Sequence, residues 1–146
     1  MNDEHVTQAE IMAVFPEVAK IIADARGCEV EQVKPRVSLI NDLGTESIDF
    51  VDIVFRLQRT FKIKIPRGKI LEDARGSLSA EQFEQNGVVS DAGVARLRAF
   101  LSEVPPERFP TPLLVADIPR LFTPETFCKV VVRQQKAAAS PPVQPA

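Results

Sequence analysis

The first half of the chain has apolar positions at helical spacing. Between about Thr7 and Arg26 they recur every three or four residues, which predicts an amphipathic helix. Gly27 directly follows, a typical helix C-cap with a positive residue in the last turn. Pro16 interrupts the segment, so either a helix begins near it or a longer helix is kinked there. The stretch from Cys28 to Asn41 lacks this period and predicts a long loop.

A second helix is predicted from about Ser47 to Phe61, and it is apolar on two sides. The first stripe consists of Phe50, Ile53, Val54, Leu57 and Phe61, and the second of Ile48, Val51 and Phe55. A surface helix normally has one such stripe. The second stripe indicates either a helix buried on both sides, or a face that binds a partner or borders an apolar cavity. The alternating segment 62–66 predicts an extended turn, since a single strand has no partner.

Capping signals divide the second half of the chain. Ser79 and Gln82 form a capping-box pattern and Asn86-Gly87 a stop signal, which together predict a third helix of about two turns. Ser90 predicts a fourth helix from Asp91 to about Glu103. Its apolar face consists of Val94, Leu97, Phe100 and Leu101.

A last helix is predicted from Thr123 to about Gln135. It opens with a cap residue, a proline and an acid, and Phe127, Val130 and Val131 form its apolar face. Residues 137–146 are Ala, Ser, Pro, Val and Gln only, a composition that predicts a disordered tail.

Composition narrows the class of function. The 146 residues carry a formal net charge of -2, which argues against a nucleic-acid binder. No apolar run approaches the ~18 residues of a membrane-spanning helix, and the start of the chain does not have the pattern of a secretion signal. We therefore expect a cytoplasmic protein with Cys28 and Cys128 reduced. With His5 the only histidine, we expect no metal site and no catalytic residues.

Ser47 has two interpretations. A serine at a helix start is usually an N-cap that accepts a backbone hydrogen bond. A hydroxyl there is also well placed to carry a phosphate ester, because free N–H groups and the helix dipole favour an anion.

Charged residues are separated by sign along the same segment. Acidic residues surround the helix start and basic residues its end: Asp42, Glu46, Asp49 and Asp52, then Arg56, Arg59, Lys62 and Lys64. The acidic cluster is either a solvated face or a surface that attracts a basic partner.

The segment 42–49, Asp-Leu-Gly-Thr-Glu-Ser-Ile-Asp, resembles the attachment motif of the acyl carrier protein family. The resemblance covers residues 15–66 closely and includes Phe61 and Ile65-Pro66 at the expected distances. It implies an all-α fold, a four-helix bundle with extra inserted helices. The carrier domain would span residues 1–136, with an inserted segment at about 67–117.

By this resemblance Ser47 would carry 4'-phosphopantetheine, attached by a phosphopantetheinyl transferase. The thiol of that arm would hold an acyl group as a thioester for acyl-chain synthases and acyltransferases. The chain itself would not be an enzyme and is expected to be a monomer. The docking residues for its partners would be Asp42, Glu46, Ile48, Asp49, Val51, Asp52 and Phe55.

The sequence departs from the family pattern at three points. Glu46 replaces the usual Asp before the serine and Ile48 the usual Leu after it. Arg56 and Arg59 make the end of the second helix basic, where the family is usually acidic. The segments 48–55 and 61–66, with the expansion that follows, are similar to the specialised carriers of very long acyl chains for lipid A.

Two other functions remain open at this point. One is a carrier for a different cargo, such as a polyketide or an amino acid. The other is an unmodified, carrier-shaped interaction subunit.

Overall fold

The computed structural model describes residues 6–65 and 69–139. These residues form a helical protein with a small two-stranded hairpin, consistent with the predicted all-α class. The helices are α1 (Gln8–Arg26), α2 (Ser47–Phe61), α3 (Lys69–Arg75), α4 (Ala80–Phe83), α5 (Asp91–Phe100) and α6 (Pro124–Ala139), and the strands are β1 (Glu84–Gln85) and β2 (Val88–Val89). Short 3-10 turns cover Val30–Gln32, Pro106–Arg108 and Val115–Leu121. His5 and Pro66 lie outside the described residues.

Helix α1 is one continuous helix with Pro16 in its interior, so the interpretation in which a helix begins at the proline is wrong. Thr7 caps its start through the Glu10 N–H, and Gly27 ends it with a positive φ of 80°. Helix α1 packs on both α6 and α2, and α2 also contacts α6. The first core cluster lies among these three helices. Its fully buried members include Val18, Ile22, Leu39, Ile53, Leu57 and Val131.

The first stripe of α2 faces this core. Ile53 and Leu57 are fully buried, and Phe50 packs edge-on to Phe122 and tilted to Phe127, with ring centroids 6.1 and 6.0 Å apart. After α2, Lys62 has a left-handed backbone and residues 63–65 belong to neither a helix nor a strand. The Ile65 N–H donates to the Gln58 side chain at 2.7 Å.

Residues between Ala74 and Leu121 form a second core cluster. Apolar side chains of α3, α4, β2, α5 and residues 101–121 gather around Phe83, Leu97 and Leu101. Ile70 and Phe122 pack at the edge of both clusters. Helices α3, α4 and α5 therefore contribute to a second cluster that lies beside the first core.

Several boundaries differ from the sequence-based expectations. Among the described residues of the segment 67–117 there are three α-helices and not two, since α3 precedes the two that were predicted. The predicted third helix has a single turn and then continues into the hairpin. Asn86 and Gly87 both have positive φ (54° and 84°), so they form its turn and not a helix stop. Helix α5 ends at Phe100, three residues before the expected Glu103.

At the C-terminal end, α6 extends through residues 137–139, which composition had assigned to the tail. Residues 140–146 of that predicted tail lie outside the described part of the chain. Among the described residues, no helix is both long enough and apolar enough to cross a membrane.

Candidate functional site

The α1–α2 loop (residues 33–46) is hydrogen-bonded to residues 120–122, which lie just before α6. The Leu39 N–H donates to the Phe122 carbonyl at 3.1 Å, and the Ser38 hydroxyl donates to the Arg120 carbonyl at 3.1 Å. Within the loop, the Thr45 N–H donates to the Leu39 carbonyl at 2.9 Å. These bonds fix the path of the chain into α2.

Gly44 makes the last turn before α2. Its φ is +70°, a conformation that side chains disfavour, and a Cβ atom there would lie 3.1 Å from a guanidinium nitrogen of Arg26. The Nε–H of Arg26 donates to the Leu43 carbonyl at 2.6 Å. The end of α1 therefore pins the turn that leads to Ser47. Sequence reasoning had assigned Arg26 only to the helix dipole.

Ser47 is the first residue of α2, and the N-cap position belongs to Glu46. The interpretation of Ser47 as the N-cap is therefore wrong. Glu46 has extended backbone, and its N–H donates to the Asp49 carboxylate at 2.9 Å. Glu46 and Ile48, which flank Ser47, are both exposed.

The second apolar stripe of α2 is exposed. Ile48 is 72% exposed, Val51 70% and Phe55 53%. The interpretation of α2 as a helix buried on both sides is therefore wrong. Large apolar side chains exposed together on one helix face are typical of an interaction surface.

Most of the acidic cluster is engaged in local bonds. Asp42 accepts the Ser38 N–H at 2.8 Å, and Asp52 forms an ion pair with Arg56 at 3.0 Å. Asp49 accepts the Glu46 N–H, which leaves Glu46 as the exposed acid nearest to Ser47. At the other end of the exposed stripe, the Arg59 guanidinium lies 5.5 Å from the centre of the Phe55 ring. The face therefore runs from acidic through apolar to basic.

The two cysteines are free thiols far apart in the chain. Burial raises the pKa of the Cys128 thiol to about 12, and the nearby carboxylates of Glu125 and Glu103 add to the shift. Cys128 is therefore a packing residue and stays a neutral thiol at physiological pH.

Comparison with known proteins identifies the family. Residues 16–75 match the phosphopantetheine attachment site family. Acyl carrier protein AcpXL of Rhizobium meliloti (strain 1021) is 39% identical over 74 residues, which are 50% of this chain and 78% of that protein. The chain belongs to the acyl carrier protein family.

Two more relatives with the printed name acyl carrier protein AcpXL are similar to the chain over a comparable length. The protein of Mesorhizobium japonicum is 39% identical over 70 residues, 47% of this chain and 75% of its own length. That of Brucella melitensis biotype 1 is 35% identical over 72 residues, 49% of this chain and 77% of its own.

Membership of the acyl carrier protein family identifies the cofactor as 4'-phosphopantetheine and makes the chain a carrier, not an enzyme. Both were implied by the resemblance of segment 42–49. The match ends at residue 75 and so includes α3, which therefore belongs with the carrier region. The rest of the inserted segment lies beyond the match.

Proposed function

We propose that this acyl carrier protein carries acyl groups as thioesters on 4'-phosphopantetheine attached to Ser47. The observation that carries the proposal is the position of Ser47. It is the first residue of α2, directly after the turn at Gly44, inside the matched region. The exposure of its two neighbours, Glu46 and Ile48, supports attachment at this position.

The chain's own residues have three tasks in this proposal. Ser47 provides the oxygen that bonds to the phosphate of the arm, and the terminal thiol of the bound arm supplies the thioester chemistry. The N-terminus of α2 stabilises the phosphodiester charge by ~0.3–1 kcal/mol. Arg26 and Gly44 hold the turn so that the residue is presented to the transferase.

The exposed face of α2 is proposed as the docking surface for the transferase, acyl-chain synthases and acyltransferases. Its apolar part is Ile48, Val51 and Phe55, whose exposure supports this role. The proposed polar part is Asp42, Glu46, Asp49 and Asp52. Of these we expect Asp52 to attract basic partner groups least, because its charge is already paired with Arg56.

The cargo is proposed to be a long acyl chain for a specialised fatty acid or lipid A pathway. Similarity to relatives named acyl carrier protein AcpXL supports a specialised carrier. Arg56 and Arg59 also differ from the acidic end that enzymes of ordinary fatty acid synthesis meet. A cytoplasmic location and a monomeric state belong to the same proposal.

The first test is attachment. The apo protein incubated with a phosphopantetheinyl transferase and coenzyme A should gain the mass of one arm, and Ser47→Ala should gain none. Ser77→Ala removes an exposed hydroxyl outside the site and should be modified like the wild type. Modification of Ser47→Ala would overturn the assignment.

A second measurement separates the alternatives. The intact mass of the protein from its native cells reports both arm and cargo. A polyketide or aminoacyl mass would replace the long-chain proposal, and a permanently unmodified protein would favour an interaction subunit.

A further inference from the structure

A cleft lies between the end of the inserted segment, the residues that follow it and the α1–α2 loop. Its volume is about 240 Å³, and we call it the basic cleft. It is lined by Asn41, Arg108, Pro110, Asp117, Arg120 and Leu121. Five of these six residues lie beyond residue 75, so the cleft is not a feature of the matched carrier region.

Two arginines are anchored in the cleft by neutral groups. The Arg108 guanidinium donates to the Arg36 carbonyl at 2.8 Å, and the Arg120 guanidinium donates to the Asn41 side-chain oxygen at 3.3 Å. Each guanidinium has five N–H donors. One contact each therefore orients the group and leaves further donors for a ligand.

Neither arginine is neutralised by an ion pair within the described residues. The nearby Arg36 differs, because its Nε–H donates to the buried Glu125 carboxylate at 3.1 Å. Asp117 is the single carboxylate among the cleft-lining residues, and one of its oxygens accepts the Leu114 N–H at 3.1 Å. The cleft therefore has an excess of positive charge and of unused donors.

We propose that the basic cleft binds a phosphate group. Two guanidinium forks match the oxygen geometry of a phosphate, which accepts paired N–H bonds from each. The small volume suits one such group with a few attached atoms, because ligand pockets for larger molecules span roughly 300–1,000 Å³. Asn41 lies on the α1–α2 loop, six residues before Ser47.

The phosphate could come from either of two sources with this chemistry. It is the phosphodiester of the chain's own arm or a phosphate ester of a separate small molecule. The binding test uses the apo protein, so it does not depend on attachment at Ser47.

Inorganic phosphate is titrated into apo protein while backbone amide signals are followed by NMR. The signals of Asn41, Arg108 and Arg120 should shift together and saturate. Arg108→Gln and Arg120→Gln should each weaken binding roughly tenfold or more, the scale of one charge-assisted hydrogen bond. Arg108→Lys keeps the charge, loses the fork and should bind with intermediate affinity. Arg59→Gln removes an exposed arginine of α2 and should bind phosphate like the wild type.

Sodium chloride at matched ionic strength separates site binding from screening and should leave the three signals in place. Equal phosphate affinity in wild type and both Gln variants would overturn the proposal, as would shifts spread over all exposed arginines. Thermal unfolding of each variant shows that it is folded during the titration.

The holo protein distinguishes the sources. If the arm fills the cleft, attachment shifts the same three signals and weakens phosphate binding. If the ligand is a separate molecule, apo and holo protein bind phosphate equally. A failed attachment at Ser47 would leave the apo titration unaffected, so the two proposals fail independently.

Discussion

Two residues, Gly44 and Arg26, shape the turn that leads to Ser47. Gly44 turns the chain with a φ of +70°, and Arg26 fills the space beside it while it holds the Leu43 carbonyl. Two physical constraints therefore favour glycine at position 44: the positive φ of its backbone and the close approach of the Arg26 guanidinium. The first can be inferred from sequence, whereas the second cannot, because nothing in residue order shows that Arg26 reaches this turn.

We expect Gly44→Ala to lower the free energy of unfolding by about 1–2 kcal/mol, the cost of a left-handed conformation for a side-chain residue. It should also slow attachment at Ser47, since the new Cβ displaces the Arg26 guanidinium. The measurements are a urea unfolding curve and the rate of mass gain with transferase and coenzyme A.

Gly27→Ala is the matched control. Gly27 has a similar φ of +80°, but a Cβ atom there would meet no other atom within 4 Å. It should lose comparable stability and keep the wild-type attachment rate. If both variants are modified equally slowly, the contact with Arg26 has no role in presenting Ser47.

At the scale of the element, α2 presents one face to the core and the other to solvent. Its exposed face ends in Arg59, which stacks on Phe55. A partner suited to an all-acidic helix would bring positive charge against this end, and like charges across an interface weaken binding.

Arg59→Glu should therefore improve loading by a general fatty acid elongation enzyme. The expected gain is up to about fivefold at low salt, since an exposed charge pair contributes ~0.2–1 kcal/mol, and it should shrink as salt rises. Arg56 is a less clean target because its reversal also breaks the pair with Asp52.

Arg98→Glu provides the control for this reversal. Arg98 is exposed on α5, and its guanidinium lies 5.8 Å from the centre of the Phe109 ring. The substitution therefore reverses the same charge and removes the same kind of cation–aromatic contact as Arg59→Glu. Loading should not change. An equal gain in both variants would mean that overall charge, and not the α2 face, sets the rate.

Sequence patterns predicted the elements that carry strong local signals. Helix α2 has its predicted bounds, and Ser90 caps α5 because its hydroxyl accepts the Gly93 N–H at 3.0 Å. Asn86-Gly87 was misassigned because positive φ serves a helix end and a hairpin turn equally well. The pairing of Glu84 with Val89 distinguishes them, and the Val89 N–H also donates to the distant Leu113 carbonyl, a tertiary contact without a local signal.

The site itself was predictable only in part. The motif around Ser47 and the two stripes of α2 are readable from sequence, but which stripe is buried depends on α1 and α6. The contact of residues 106–121 with the α1–α2 loop could not be inferred from a local pattern, because the hydrogen bonds of Arg108 and Arg120 link residues 72 and 79 positions apart.

At the scale of the whole molecule, a buried polar group joins the two cores. Lys129 of α6 donates to the Glu103 carboxylate and to the Phe100 carbonyl, both at 2.8 Å. The other Glu103 oxygen accepts the Thr126 hydroxyl at 2.5 Å. Glu103 follows α5, so this group ties the end of the inserted helices to the carrier bundle.

Lys129→Met should destabilise the protein by about 3–5 kcal/mol, because it leaves the Glu103 carboxylate buried without its cation. Replacing both partners, Glu103→Leu with Lys129→Met, should recover most of the loss. Lys136→Met serves as control: Lys136 pairs with Glu10 at 2.9 Å where both are partly exposed, and its loss should cost under ~1 kcal/mol. Chemical unfolding measures the free energy of unfolding of the three variants. An equal loss in Lys129→Met and Lys136→Met would contradict a special role of the buried group.

The separation of the two cores also predicts where a long acyl chain can act. Phe83, Leu97 and Leu101 are buried against one another, so they have little apolar surface left for a ligand. Each exposed CH₂ of the chain costs ~0.8 kcal/mol, which drives it toward the partly buried apolar residues that border the first core, among them Phe50, Ile70 and Phe122. Holo protein loaded with a very long acyl chain should therefore show amide shifts in α2, at Ile70 and at Phe122, compared with a short-chain control, and none across residues 79–103. Shifts throughout 79–103 that grow with chain length would show instead that the second core opens to take the chain.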